Sequence, residues 1–153
     1  RPFERMTVFE NVLVAAGYGA GLSGKESDAA AMEALEITGM AEHKDVIAGK
    51  LTFLDRKKLE IARALGTHPK LLLLDEVAAG LTEAETLEVM KMVDILKKQG
   101  YTIIWIEHII DTMVKSTDTL MCMSDGRNVI CGKPEEVISS DIVEELYLGT
   151  EED

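Results

Sequence analysis

Apolar residues follow two rhythms along this chain, and the change from one to the other marks out its elements. From Thr7 onward, Val8, Val12, Leu13 and Ala16 recur at helical spacing. Thr7 is placed to cap that helix, with Glu10 three residues on as its capping-box partner. The glycine-rich stretch Gly17–Lys25 reads as a flexible connection, since the spacing of GxxxxGK[ST] is not met and no strand precedes it. A second helix is expected from about Asp28 to Thr38, capped by Ser27 or Asp28 and stopped by Gly39, with Met32, Leu35 and Ile37 as its core stripe. A linker through Lys44-Asp45 and Gly49 leads to Leu51-Thr52-Phe53-Leu54-Asp55. The next helix, about Asp55 to Thr67, carries Leu59, Ile61, Ala62 and Leu65 on its inner side. Its first turn holds Arg56-Lys57-Lys58, against the helix dipole, which becomes useful where an anion or an acidic partner lies nearby.

After His68-Pro69 the rhythm changes. Leu71-Leu72-Leu73-Leu74 is a continuous apolar run, the pattern of a parallel strand buried on both faces. It stops at Asp75-Glu76, which places two carboxylates at the carboxyl end of that strand, the edge where open α/β sheets bind ligands. Taken alone, the pair is equally explained as solvated acids at a turn. Thr82 caps a helix with Glu85 as its partner, running to about Gln99 and stopped by Gly100. A second buried strand, Tyr101 to Ile106, ends in Glu107-His108. Strand, helix, strand makes a βαβ unit with parallel strands, and His108 is then expected at the same sheet edge as Asp75 and Glu76. The remainder predicts a helix from Ile109 to Lys115 and a hairpin of strands 119–123 and 128–131 about Ser124-Asp125-Gly126-Arg127. A short helix from Glu135 follows, then a last one that Asp141 caps, running to Tyr147, and an acidic, frayed tail at Gly149–Asp153.

At 153 residues the chain has room for one domain with a real core. With 46% hydrophobic and 29% charged residues it falls among soluble globular proteins. Lys+Arg 16 against Asp+Glu 28 gives a net charge of −12 without a basic block, so no nucleic-acid partner is expected. No apolar stretch approaches the roughly 18–20 residues of a membrane span. Arg1-Pro2-Phe3-Glu4-Arg5 is no signal peptide, and a helix that begins with almost no lead-in suggests a piece of something longer. Cys122 and Cys131 fit neither a disulfide framework nor a metal motif, and both read as small core residues on strands; a cytoplasmic location is the default.

Three segments in this order carry a resemblance: LTFLDRKKLEIARAL (Leu51–Leu65), LLLLDEVAAGL (Leu71–Leu81) and IWIEH (Ile104–His108). They resemble the signature helix, the Walker B strand with its D-loop, and the switch-histidine strand of ABC-type ATPases, the nucleotide-binding subunits of ATP-driven transporters. LEIARAL, EVAAGL, IEHI, the closing ELYLG and the opening RPFERMTVFENVLVA look most like subunits of branched-chain amino acid importers. The resemblance spans essentially the whole chain. It implies an α/β fold: a partial P-loop NTPase domain with a parallel sheet flanked by helices, an α-helical subdomain over about 7–67, and a RecA-like core part over 68–153 that ends in a β-hairpin and short helices.

The resemblance also implies roles. Asp75 holds Mg²⁺ at the β/γ-phosphates of ATP; Glu76 is the general base for the attacking water. His108 contacts the γ-phosphate. Leu51, Thr52, Phe53, Leu54 and Asp55 face the γ-phosphate of ATP held by a second ATPase subunit, at a helix start suited to anions. Gly80, Leu81 and Thr82 form the D-loop at the dimer interface. The helical segment from Thr7 to about Gly49 docks on transmembrane permease subunits, although its apolar stripes are equally explained as core. The subunit would be cytoplasmic and peripheral on the inner face of the membrane.

Two departures stand against the family pattern. The signature, usually LSGGQ, reads Leu51-Thr52-Phe53-Leu54-Asp55 here: Thr52 keeps a hydroxyl, but Leu54 replaces a glycine and Asp55 brings a negative charge. Either the loop is a working variant, the reading favoured here, or signature function is weakened. The phosphate-binding loop with its lysine, the adenine-stacking aromatic and the Q-loop glutamine are also missing, so the chain is expected to be about the last two-thirds of an ATPase domain, inactive by itself. Competing readings are a soluble ABC-type ATPase that remodels DNA or ribosomes, and a truncated regulatory or dimerisation module.

Overall fold

Thr7 caps the first helix as the sequence predicts. Its hydroxyl accepts the Glu10 amide while the Glu10 carboxylate accepts the Thr7 amide, which starts helix α1 at Val8–Gly19. The structure, a computed structural model, describes residues 1–147; the acidic tail and the end of ELYLG lie outside the described residues. Two compact units divide the chain, Arg1–Ile106 and Glu107–Asp153.

In the first unit α1 packs against α2, Lys25–Ile37, and α3, Phe53–Leu65. Val8 and Val12 of α1, Ala34 and Leu35 of α2, and Leu59, Ile61 and Leu65 of α3 are all buried in one core. Two boundaries differ from expectation. Helix α2 begins three residues early, after Gly24, which gives no side-chain cap; Ser27 instead lies inside the helix and its hydroxyl donates to the Gly24 carbonyl. Helix α3 begins two residues early because Thr52, not Asp55, is its cap: the Thr52 hydroxyl accepts the Asp55 amide at 3.2 Å. Asp55 therefore sits in the first turn and Arg56-Lys57-Lys58 beyond it, which reverses the expected conflict with the dipole.

The N-terminal segment is held down by a buried polar residue. Asn11, fully buried, accepts from the Phe3 amide through Oδ1 and donates through Nδ2 to the carbonyls of Phe3 and Thr7. All of its bonds run to backbone, so burying it leaves no polar group stranded.

Strand β1, Leu71–Asp75, and strand β2, Thr102–Ile106, pair in parallel with Leu71 opposite Thr102 and Asp75 opposite Ile106. Helix α4, Glu83–Lys98, connects them and is capped by a Thr82–Glu85 capping box. The expected burial on both faces is not found. Leu72 and Leu74 are 2% and 5% exposed and join the core with Val89, Val93 and Leu96 of α4, whereas Leu71 and Leu73 are 45% and 70% exposed. In β2, Ile104 and Ile106 are exposed on the same uncovered side, and Ile103 and Trp105 are only partly buried against the core. Among the described residues this sheet has two strands, and helices cover one side of it, so period-two alternation decides which leucines are buried.

The second unit comprises α5 (Ile110–Ser116), the antiparallel hairpin β3 (Leu120–Ser124) and β4 (Arg127–Gly132), α6 (Pro134–Ile138) and α7 (Asp141–Tyr147). Asp125 and Gly126 turn the hairpin with φ of 49° and 73°, the left-handed pair of a tight two-residue turn. Cys122 is buried with Val137 and Val143, but Cys131, opposite Met121, is exposed, which corrects its reading as a core residue. The shift in strand register between Cys122 and Met123 falls beside this pair.

Two predictions follow from this packing. Leu59→Ala should lower the stability of the chain by about 2–5 kcal/mol, while Leu73→Ala should change it by less than about 0.5 kcal/mol, both read by chemical denaturation; equal losses would contradict the one-sided burial of β1. The Glu85 carboxyl is held below the usual carboxylate range by the backbone amide and then the hydroxyl of Thr82. Its contribution is therefore present above that range and lost as pH falls through the lowered value. Glu85→Gln should destabilise the chain at neutral pH, and the gap to wild type should close on acidification; a constant gap would refute this assignment.

Candidate functional site

Asp75 is the last residue of β1, and Glu76 continues the ladder by one rung: its amide donates to the Ile106 carbonyl at 2.9 Å. Both acids are exposed at the carboxyl edge of the sheet. Glu76 then turns into left-handed backbone at φ 47°, a conformation that costs a residue with a side chain about 1–3 kcal/mol and persists where the surroundings enforce it. Its carbonyl accepts two hydrogen bonds, from Lys57 Nζ at 3.2 Å and from the Ala79 amide at 3.2 Å. Val77 and Ala78 are buried behind the turn, and the Leu81 amide donates to the Ala78 carbonyl.

The candidate residues of α3 come close to this turn. The Phe53 ring stands against Gly80, where an added Cβ would lie 3.3 Å from Cε1, and Gly80 has φ 79°. Glycine is needed there for both reasons. Lys57 Nζ lies 5.5 Å from the centroid of the same ring. Leu51 and Leu54 are buried in the core, so the leucine at the position of the usual glycine points inward. The Asp55 carboxylate accepts from the Thr52 hydroxyl at 2.8 Å, which turns its charge onto the cap. Thr82 closes the segment by capping α4. Thus two contacts, Lys57 on the Glu76 carbonyl and Phe53 on Gly80, tie the start of α3 to the turn after Asp75-Glu76.

His108 falls two residues past β2, in the second unit; its side chain is mostly exposed and its Nδ1 is 3.8 Å from Glu107 Oε2. Lys57 was not singled out by the sequence reading as a site residue. Its signal was the basic run at the start of α3, but only the fold shows that one of these cations reaches the Glu76 carbonyl.

Among the described residues no cluster of three or more His, Cys, Asp or Glu side chains is arranged to hold a metal. Asp75 offers one exposed carboxylate, which suits Mg²⁺, an ion commonly held by one or two carboxylates with water and phosphate oxygens. Contrary to the expectation from sequence, the stretch Gly19–Lys25 does have the spacing GxxxxGK, but Glu26 follows where Ser or Thr belongs. It also joins α1 to α2 with no strand feeding it, so the strand–loop–helix phosphate cradle is not built there.

Comparison with known proteins agrees with this arrangement. The family model described as ABC transporter matches residues 1–79, just over half of the 153. The high-affinity branched-chain amino acid transport ATP-binding protein LivG of Escherichia coli strain K12 is 34% identical over 97% of this chain and 64% of its own length. A probable LivG of Archaeoglobus fulgidus is 32% identical over 99% of the chain and 63% of its own. Among solved structures, the ADP conformation of MJ1267, an ATP-binding cassette of an ABC transporter, superposes with a TM-score of 0.82 at 30% identity, covering 95% of this chain and 64% of that one. The chain thus spans a little under two-thirds of the length of these relatives. The matched model, the parallel βαβ unit and the acidic pair at its carboxyl edge together show that this chain belongs to the ABC transporter family.

Proposed function

We propose that this chain supplies the signature, Walker B and switch segments of the ATP-hydrolysing subunit of an importer for branched-chain amino acids. The observation that carries the reading is the Asp75-Glu76 pair at the carboxyl edge of a parallel sheet, contiguous with the Thr52-capped start of α3. The substrate class rests on the likeness to the two LivG proteins.

In this reading Glu76 orients the attacking water and takes its proton as the water oxygen bonds to the γ-phosphorus; the bond to the β-phosphate oxygen breaks, releasing ADP and phosphate. Asp75 would hold Mg²⁺, which when bound neutralises charge on the β- and γ-phosphates. The start of α3, from Leu51 to Asp55, faces the γ-phosphate of ATP on a second subunit and offers backbone amides rather than glycine flexibility. The inward Leu54 and the Thr52–Asp55 bond support a working variant of the signature, because neither obstructs that face. His108 contacts the γ-phosphate, and Gly80-Leu81-Thr82 crosses between subunits. The segment from Thr7 to Gly49 docks on permease subunits.

Among the described residues no helix is long and apolar enough to cross a membrane. On the likeness to the LivG proteins, the subunit is cytoplasmic and attached to the inner face of the membrane through those permease partners. A phosphate-binding loop of the GxxxxGK[ST] type, absent from these residues, has to act with them.

In the full-length ATPase, Glu76→Gln should abolish turnover and let ATP-bound dimers accumulate, measured by phosphate release and by size-exclusion chromatography with ATP. Normal turnover in that variant would eliminate Glu76 as the base. The purified 153-residue chain should hydrolyse ATP negligibly, and measurable turnover would show that it needs no added phosphate loop.

A further inference from the structure

We propose that Lys57 is a positioning residue for Glu76: by bonding to the Glu76 carbonyl it fixes the backbone that aims the proposed general base, and so ties the start of α3 to that base. The inference rests on the reading of Glu76 as general base and adds a residue that this reading does not require.

Glu76 enters left-handed backbone directly after the last rung of the sheet, at φ 47°. Its amide is fixed on the Ile106 carbonyl, which anchors one side of the residue to β2. Its carbonyl has two lone pairs and two donors, the Ala79 amide from within the turn and Lys57 Nζ from α3. The turn alone supplies one of these bonds, and the second comes from a different element and carries a full charge, which makes it a strong partner for a carbonyl. The direction of a side chain follows the backbone dihedrals of its residue, so a peptide pinned on both sides sets where the Glu76 carboxylate points.

Lys57 is itself guided. Its ammonium stands over the ring of Phe53, and that ring rests against Gly80 at the far end of the same turn. The α3 start therefore grips the Glu76–Gly80 turn at both ends, at the first residue through Lys57 and at the last through Phe53. If the α3 start reads the phosphate of one ATP and Glu76 acts on another, Lys57 is the short mechanical link between two reaction sites.

The test has two arms. In nitrogen–proton correlation spectra of the 153-residue chain, Lys57→Met, which keeps the stem and removes the donor, should shift the amides of Glu76 to Gly80 and speed their hydrogen exchange. Amides of α1 and α2 should stay in place, and Lys57→Arg, which restores a charged donor, should recover the wild-type pattern. In the full-length ATPase, Lys57→Met should lower kcat by about ten- to a hundredfold, the loss that a displacement of roughly 1 Å produces, with KM for ATP changed less than kcat and with Lys57→Arg recovering most of the rate. Should Lys57→Met not fold, Lys57→Leu, which also lacks a donor, takes its place in both arms.

Unchanged Glu76–Gly80 amides, or equal losses in the Met and Arg variants, overturn the proposal. A kcat that is unchanged while Glu76→Gln is dead overturns it as well and leaves the general-base reading standing. Normal turnover in Glu76→Gln removes the base reading, with the spectral arm still deciding whether Lys57 fixes the turn.

Discussion

Parallel pairing of β1 with β2 is the constraint on which the candidate site depends. Two parallel neighbours must be joined by a crossover, and α4 supplies it, so both strands deliver their carboxyl ends to one edge. The bond from the Glu76 amide to the Ile106 carbonyl extends that pairing one residue beyond the strand and fixes where the chain leaves the sheet. The burial of Leu72 and Leu74 against α4 holds the register. A slip by one residue would expose them and turn Asp75 toward the core. The same leucines that build the core thus keep the Asp75 carboxylate in water.

The basic run at the head of α3 acquires its meaning from this edge. With Thr52 as cap, the helix opens on an acid in its first turn and carries its cations afterwards. Each of the three then reaches a different neighbour. Arg56 donates to the Gly49 carbonyl and lies 3.9 Å from Glu4, Lys57 reaches the Glu76 carbonyl, and Lys58 pairs with Glu88 of α4 at 2.7 Å. Exposed pairs of this sort contribute up to about 1 kcal/mol each. Their larger effect is geometric, since they staple α3 to the preceding loop, to the sheet edge and to the crossover helix. In a chain of net charge −12, three successive cations point in different directions around one helix and so meet three different neighbours.

Helix existence, the βαβ order and the hairpin turn were legible because each leaves a local mark: Thr7 with Glu10, Thr82 with Glu85, and Asp125-Gly126. The acidic pair was legible because the apolar run ends there, Asp75 closing β1 and Glu76 turning out of the sheet. Burial of the strands was not legible, since a run of four leucines reads the same whether one face or both are covered, and the answer lies in how many elements surround the sheet. Helix α2 misled for a different reason: Ser27 and Asp28 are good caps, but Gly24 at φ 55° let the helix start before either. The reach of Lys57 and the fit of Phe53 on Gly80 depend on residues distant in sequence, where no spacing rule applies.

The variant signature can be understood from the same geometry. A glycine-rich loop lets backbone approach an anion by having nothing in the way, and a leucine achieves the same clearance if its side chain is drawn into a core. Leu54 is buried with Leu51, so neither leucine side chain stands on the outer face of the first turn. Asp55 would repel a phosphate as a free carboxylate, but its Oδ2 accepts from the Thr52 hydroxyl, and the oxygen of that hydroxyl accepts from the Asp55 amide. The charge is thereby spent partly on the cap and partly against the helix dipole, which favours an acid at that position. Phe53, the remaining departure from glycine, is the residue that rests on Gly80. The residue at that position therefore gives α3 an aromatic side chain with which to contact the turn that follows Asp75-Glu76.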